Sequence, residues 1–433
     1  MTVTLGLPSG VRVGRDEHGS LHLVGMGRAS LGKTTPELVA AVKELTADRL
    51  PIDSDGPLSL PELEAGGWLR RTISFAGSPL ISVRMLPGMP GVEWRSDLQP
   101  AVLSRFAVLR RDGDGLVVES PLADRVVWVR SPGVAALISQ LATATPLTGT
   151  ELPDAAVAAV VRELGAAGLV VPVEEPGNWG PHELWFHARS RWGGRSSHDP
   201  VGPSTSSAPP EPSSAAPKLV PGPPVQLYEP DLAEIAEHEP GVTAVLESRT
   251  SIRTHDSDNP ITLRQVGEFM YRCARVRSTL TYQGESYTKR PYPAGGAAYE
   301  LRLYLAAHDI NGLESGLYQY DSYEHVLHRL DAVPDAMLTG AALATQTRSW
   351  PQAVVVIAAR FDEIFRRYQG MGYATTLKNV GVLYQTMYTV ATAMGLAPCA
   401  LGNGDSAAFA VATGLDPRVE SSVGEFMLGS RPN

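Results

Sequence analysis

RPYPAGGAAYELRLYLAAH, residues 290–308, is the stretch that decides how this chain is built. From Glu300 to His308 apolar and polar side chains alternate, the period of a strand with one buried face. Ahead of that strand, Pro293, Ala294, Gly295 and Gly296 make a loop almost bare of side chains. Such a loop leaves room for something flat and large to lie against the main chain.

Toward the N-terminus, residues 242–248 read as a helix that ends on Arg249-Thr250-Ser251-Ile252-Arg253, and residues 261–276 as a second helix opened by Thr262. Two guanidinium groups and two hydroxyls within five residues suit a phosphate monoester, because all four groups donate to its oxygens. A solvated helix end is the competing reading of the same residues. Toward the C-terminus, AVVVIAARF (353–361) is a continuous apolar run of buried-strand length. Residues 376–396 form a long helix on the spacing of Leu377, Val380, Leu383, Met387, Val390 and Met394, ended by Gly395 and kept from resuming by Pro398. Tyr384 and Gln385 fall within that apolar pattern, and a buried Gln requires partners. Residues 399–404 make a second small-residue loop, 424–428 a strand, and Gly429-Ser430-Arg431-Pro432 the close.

The chain has 433 residues, 43% of them hydrophobic and 19% charged, which is more than one ordinary domain holds. Its net charge of -9 argues against general nucleic-acid binding and is explained by solubility alone. The two cysteines, Cys273 and Cys399, have no metal spacing around them and point to a reducing interior. Residues 1–30 lack the layout of a signal peptide, and no run approaches the ~18 apolar residues of a membrane span. A soluble, cytoplasmic protein that binds no metal is expected.

Residues 193–224, rich in Ser, Pro, Ala and Gly, read as a disordered tether, since they hold too little apolar surface to offset their ordering entropy. Ahead of the tether one pattern occurs twice, predicting units over 1–97 and 98–192. The first has a hairpin over 10–24 with a turn at His18-Gly19, helices over 36–46 and 58–68, and a strand pair over 69–86. The second has strands over 106–109, 116–119 and 126–129, helices over 132–142 and 153–165, and a closing strand within 166–172. Strands, then helices, then a strand is a winged-helix arrangement. The helix over 153–165 carries Arg162 as its only basic residue, too little for a DNA-recognition helix. A peptide added along an exposed strand edge is better supported, as is a purely structural role for one copy. Around Trp179 to Trp192, His182 and His187 are five apart, a poor match to a helical metal pair. A short helix packing its aromatics is expected there.

The ordered set ESRTSIRTH, KRPYPAGGAAYELRLYLA, GLESGLYQYD, YATTLKNVGVLYQTMYTVATAMGLAP and the closing GSRP resembles the SagB/McbC-type azoline dehydrogenases, a branch of the FMN-dependent nitroreductase fold, over residues 240–432. The paired front units resemble precursor-peptide recognition elements of ribosomal-peptide tailoring enzymes. An α+β chain follows, with tandem winged-helix units, the tether, and a nitroreductase-like FMN domain over 225–433.

The resemblance implies that Arg249, Thr250, Ser251 and Arg253 grip the phosphate and ribityl chain of FMN together with Arg431. It sets Pro293, Ala294, Gly295 and Gly296 along the flavin ring, Ala294 replacing the usual Ser. Leu401, Gly402 and Asn403 fall on the flavin's other side, and Gln385 on the Gln of the Gly-X-X-X-Gln helix that begins at Gly381. Tyr368 matches the Tyr of a catalytic Lys-Tyr pair, with Arg367 in place of Lys. Arg stays charged and cannot act as a base at neutral pH, so Tyr368 becomes the proton-transfer group, its pKa lowered by Arg367. Lys378 and Tyr373 stand in reserve. The implied reaction oxidises thiazolines or oxazolines of a precursor peptide to thiazoles or oxazoles, with dioxygen restoring the flavin, a cyclodehydratase as partner, and a homodimer as the active form. An NAD(P)H-dependent nitroreductase or quinone reductase, and a non-catalytic leader-peptide scaffold, are the rival readings.

Overall fold

The computed structural model describes residues 1–25, 27–54, 56–86, 101–113, 115–145, 149–175, 178–190, 219–282 and 285–432. The chain forms two compact units, 1–200 and 201–433. Most of the expected tether, and the expected boundary between the front copies at residues 97 and 98, lie outside the described residues.

In the N-terminal unit the helix Pro36–Thr46 has the bounds read from sequence, with Thr35 accepting from the Leu38 amide as its cap. The expected helix over 58–68 is shorter, Leu60–Ala65, because it stops at Gly66. The strands Arg70–Phe75 and Ser78–Met85 of the first copy, and Val108–Asp112, Gly115–Glu119 and Arg125–Val129 of the second, belong to one antiparallel seven-stranded sheet. The two copies join where Val83 faces Val127. One core likewise crosses from copy to copy: Ile73, Ile81 and Val83 pack with Val127, Leu137, Val160 and Leu164. The aromatic helix forms at Pro181–Arg189 without a buried residue, and the Trp185 indole donates to the Phe106 carbonyl at 2.9 Å.

The C-terminal unit is built on a second antiparallel seven-stranded sheet. Its strands are β1 (Val225–Gln226), β2 (Leu301–Ala307), β3 (Gly316–Asp321), β4 (Val326–Arg329), β5 (Ala353–Arg360), β6 (Leu396–Leu401) and β7 (Glu420–Ser430), in the order β1-β4-β3-β2-β5-β7-β6. The described part of this unit begins at Leu219, which bridges to Leu330 and lies five residues ahead of the predicted end of the tether. The helices are α1 (Leu232–His238), α2 (Val242–Ser248), α3 (Leu263–Ala274), α4 (Asp335–Thr345), α5 (Phe361–Tyr368), α6 (Gly372–Ala393) and α7 (Ser406–Thr413).

The unbroken apolar run of β5 has a simple cause. Ala353, Val355, Ile357 and Ala359 enter the core beneath α3 and α6, whereas Val354, Val356 and Ala358 enter the core beneath α4 and α7. Each fully buried branched side chain there contributes about 1.5–3 kcal/mol. At α3, Thr262 accepts from the Gln265 amide at 3.2 Å and the Gln265 side chain accepts from the Thr262 amide at 2.9 Å, a reciprocal cap.

Three expectations are corrected here. The long helix α6 starts at Gly372 and stops at Ala393, so the predicted 376–396 is displaced toward the C-terminus. Gly395, at φ +67°, reverses the chain directly into β6. Residues 399–401 are therefore strand, and Pro398 is tolerated because β6 is an edge strand. The hairpin of Ser278–Tyr282 and Glu285–Lys289 follows the helix read to 276, which itself ends at Ala274.

Candidate active site

The long helix α6 organises the site, because its two flanks hold different parts of the residues picked out by sequence. On one flank lies the Arg-Thr-Ser segment. Arg249 closes α2 and stacks its guanidinium 4.9 Å over the Tyr388 ring. The Ser251 hydroxyl is 2.8 Å from the Tyr388 hydroxyl, which also accepts from the Ala400 amide at 2.9 Å. Ile252 donates its amide to Pro398 at 2.9 Å, so this segment runs beside β6. The chain then ties to the C-terminal strand: the Ser430 hydroxyl donates to the Asp256 carbonyl at 3.0 Å, with Arg431 next in sequence. Among the described residues no carboxylate pairs with Arg249, Arg253 or Arg431. Thr250, Arg253 and Arg431 are exposed.

One helical turn back, on the same flank, a cleft of about 430 Å³ opens between α6, β7 and the loop after β6. Tyr373, Leu377, Val380, Gly381 and Tyr384 form its α6 wall, Leu401, Gly402, Asn403 and Gly404 another. At Gly381 and Gly402 an added Cβ would meet nothing within 4 Å, so these glycines leave the walls open. The Tyr384 hydroxyl accepts from the Glu425 amide at 2.8 Å and fixes β7 at the cleft. Glu425 also lines it, 8% exposed, with its carboxylate held against Gly404. Burial, with a smaller contribution from Asp405, raises the Glu425 carboxyl to about 7.

On the opposite flank of α6 sits the Pro-Ala-Gly-Gly loop. The Gly295 amide donates to Asn379 at 3.0 Å, and Asn379 donates to the fully buried Glu300 at 2.9 Å. The glycines have a packing reason of their own. A Cβ on Gly295 would come within 2.7 Å of Thr375, and one on Gly296, at φ +54°, within 2.8 Å of the Tyr368 hydroxyl. Arg367 donates to the Gly296 carbonyl and lies 4.7 Å over the Tyr287 ring. Tyr368 is thus placed against the loop, but its phenol is raised: burial outweighs the lowering by Arg367, and Glu300 adds to burial. The expectation of a lowered Tyr368 pKa is reversed.

Asn379 and Tyr388 are nine residues apart on α6, which is about 13.5 Å along the axis and half a turn around it. Within one copy, then, the Gly-Gly loop and the arginine segment do not face a common space. Gln385 lies off the stripe of Leu383 and Met387, is exposed, and donates to Thr389 at 3.3 Å. The expected burial of Gln385 is corrected accordingly. Lys378 is exposed on α6, whereas Tyr373 lines the cleft. Sequence reading passed over Tyr388, Asn379 and Glu425. A lone acid inside the apolar strand Val423-Gly-Glu-Phe-Met427 was the available signal for Glu425.

Among the described residues no group of three or more His, Cys, Asp or Glu is arranged to hold a metal ion. Both cysteines are free and buried. No helix among the described residues is long and apolar enough to cross a membrane.

Residues 246–430 match the Nitroreductase family. In the other unit, residues 101–196 match the family described as cyanobactin oxidase ThcOx. A provisionally named nitroreductase of Methanocaldococcus jannaschii is 29% identical over 179 residues, 41% of this chain and 84% of that protein. Among solved structures, a provisionally named nitroreductase of Ralstonia eutropha shares 19% identity at a TM-score of 0.40, over 50% of this chain and 95% of that one. The Escherichia coli microcin synthetase McbBCD complex with truncated pro-MccB17 bound shares 18% identity at a TM-score of 0.36, over 43% of this chain and 73% of that one. The nitroreductase match spans all of α6, both of its flanks and the Arg249 segment.

Proposed function

We propose that this protein is an FMN-dependent oxidoreductase that oxidises thiazoline or oxazoline rings of a ribosomally made peptide to the aromatic thiazole or oxazole. The observation that carries the proposal is the continuity of two features along one flank of α6. Arg249, with no acidic partner among the described residues, sits over Tyr388 one turn from a cleft with open glycine walls. Unpaired guanidinium groups suit a phosphate, and a cleft of this size suits a small planar group, so the residues fit FMN. The cyanobactin-oxidase match over residues 101–196 favours a peptide substrate.

In this reading Arg249, Arg253 and Arg431, with Thr250 and Ser251, hold the phosphate and ribityl chain. Tyr388 orients Arg249 and Ser251 through its ring and hydroxyl. Leu401, Gly402 and Asn403 border one side of the ring. Pro293, Ala294, Gly295 and Gly296 border the other side and come from a second copy, which is why a homodimer is proposed. Flavin supplies the two-electron acceptor when bound. Leu377, Val380 and Tyr373 keep water from the reacting carbon, and Tyr368, carried against the Gly-Gly loop, orients the ring through its hydroxyl. The winged-helix-like copies over 1–97 and 98–192 hold the leader of the precursor peptide, delivered by a cyclodehydratase.

The test is direct. Purified protein should be yellow, and a cyclised peptide should lose about 2 Da per ring, the two hydrogens of a two-electron oxidation. Tyr368→Phe should stay yellow and oxidise the ring more slowly. Colourless, fully folded protein would favour a leader-binding scaffold. Rapid bleaching by NADPH with a nitroaromatic, and no mass loss, would favour a reductase.

A further inference from the structure

We propose that Glu425 is the general base of the cleft, its carboxylate taking the proton from the azoline ring carbon that bears the peptide carbonyl. The proposal rests on the cleft being where the ring is oxidised. That chemistry needs an acceptor that is ionised near neutral pH yet still basic. Arg367 stays cationic and is engaged by the Gly296 carbonyl. Tyr368 is raised above the ordinary phenol by burial, so its hydroxyl keeps its proton near neutral pH and accepts none. Lys378 is exposed on α6 and does not line the cleft.

Glu425 differs from all three. It lines the cleft, and among the described residues no cation pairs with it. Its backbone is pinned by the Tyr384 hydroxyl at 2.8 Å, so the side chain leaves from a fixed point. Gly404 is the residue that makes room: a Cβ there would fall 2.0 Å from a Glu425 carboxylate oxygen. The groups facing it are Asp405 at the start of α7, Tyr384 on α6, and Ser422 on its own strand. Asp405 and burial favour the neutral acid, Ser422 the anion, and the balance puts titration near neutrality. In the step itself the ring C–H bond breaks and its proton passes to Glu425. The electron pair left behind closes the ring double bond as hydride leaves the neighbouring carbon for oxidised flavin, so the ring loses two hydrogens and the flavin gains two electrons.

The experiment uses the full-length, FMN-loaded chain, wild type and Glu425→Gln. In the wild type, kcat/KM for a thiazoline peptide should rise with pH through a group near 7. In Glu425→Gln it should fall about 10²–10⁴-fold, the worth of a positioned base, and lose that rise. FMN content and circular dichroism should not change. Independently of turnover, infrared difference spectra should show one carboxyl titrating near pH 7 in the wild type and not in the variant. Turnover within about threefold of wild type with the same pH rise, far less than a lost base costs, would overturn the proposal. So would the absence of a carboxyl titrating near neutrality. If the wild type itself oxidises no azoline, the functional reading fails first and this assignment with it.

Discussion

The Glu425 carboxyl makes a quantitative statement about stability that does not depend on any reaction. Burial raises it from 4.5 to about 7, so the folded chain holds a proton that the unfolded chain releases. A carboxyl with a raised folded pKa stabilises below its unfolded value, and that contribution is lost as pH rises toward the folded one. At about 1.36 kcal/mol per pKa unit, the two pKa values predict that this group alone removes roughly 2–3 kcal/mol between pH 5 and pH 8. Glu425→Gln keeps the shape and removes the titration. Urea unfolding of both proteins at intervals across that range should give a difference that grows by roughly this amount, the wild type losing ground as pH rises. A difference that stays flat, or that grows in the opposite direction, would refute the burial argument and remove support for Glu425 as a near-neutral group.

Two further outcomes are expected. Gly296→Ala forces a side chain onto a backbone at φ +54° and against the Tyr368 hydroxyl, so it should cost about 1–3 kcal/mol by urea unfolding. Arg249→Ala should weaken FMN about 10–100-fold in a fluorescence titration, the worth of a charged hydrogen bond at about 1.5–3 kcal/mol, while leaving the melting temperature of the flavin-free protein within a few degrees.

Much of this architecture could be read from local chemistry. The helix Val242–Ser248 and the opening of α3 at Thr262 are set by nearest neighbours, and both appear as read, whereas the return bond from Gln265 was not read. The apolar run 353–361 gave β5 except its last residue, because a strand covered on both faces has no polar side. Where reading faltered, the deciding partner was distant. Residues 372–375 join α6 although they carry Gly372 and the β-branched Thr375, and Gly372 is buried where a Cβ would strike Phe365 of α5. Pro398 reads as a helix-stopper in sequence, whereas in the sheet it lies on an edge that tolerates it. Gln385 appeared buried because its neighbours are apolar, yet the helical phase carries it off their stripe.

The site divides in the same way. The arginines, Ser251 and the glycine loops are visible as residue types at short spacing, but their sides of α6 are not. Only packing reveals that Tyr388 gathers Arg249 and Ser251, or that Asn379 takes the Gly295 amide. The charge state of Glu425 depends on a desolvation that no local pattern expresses.

The strand pair Ser78–Met85 and Arg125–Val129 has a practical consequence for anyone dissecting the front of the molecule. Expressing one copy without the other would leave its seam strand unpaired, a raw edge that is a template for aggregation. Neither copy is therefore a module to be excised or grafted singly; a fusion or truncation should carry the pair.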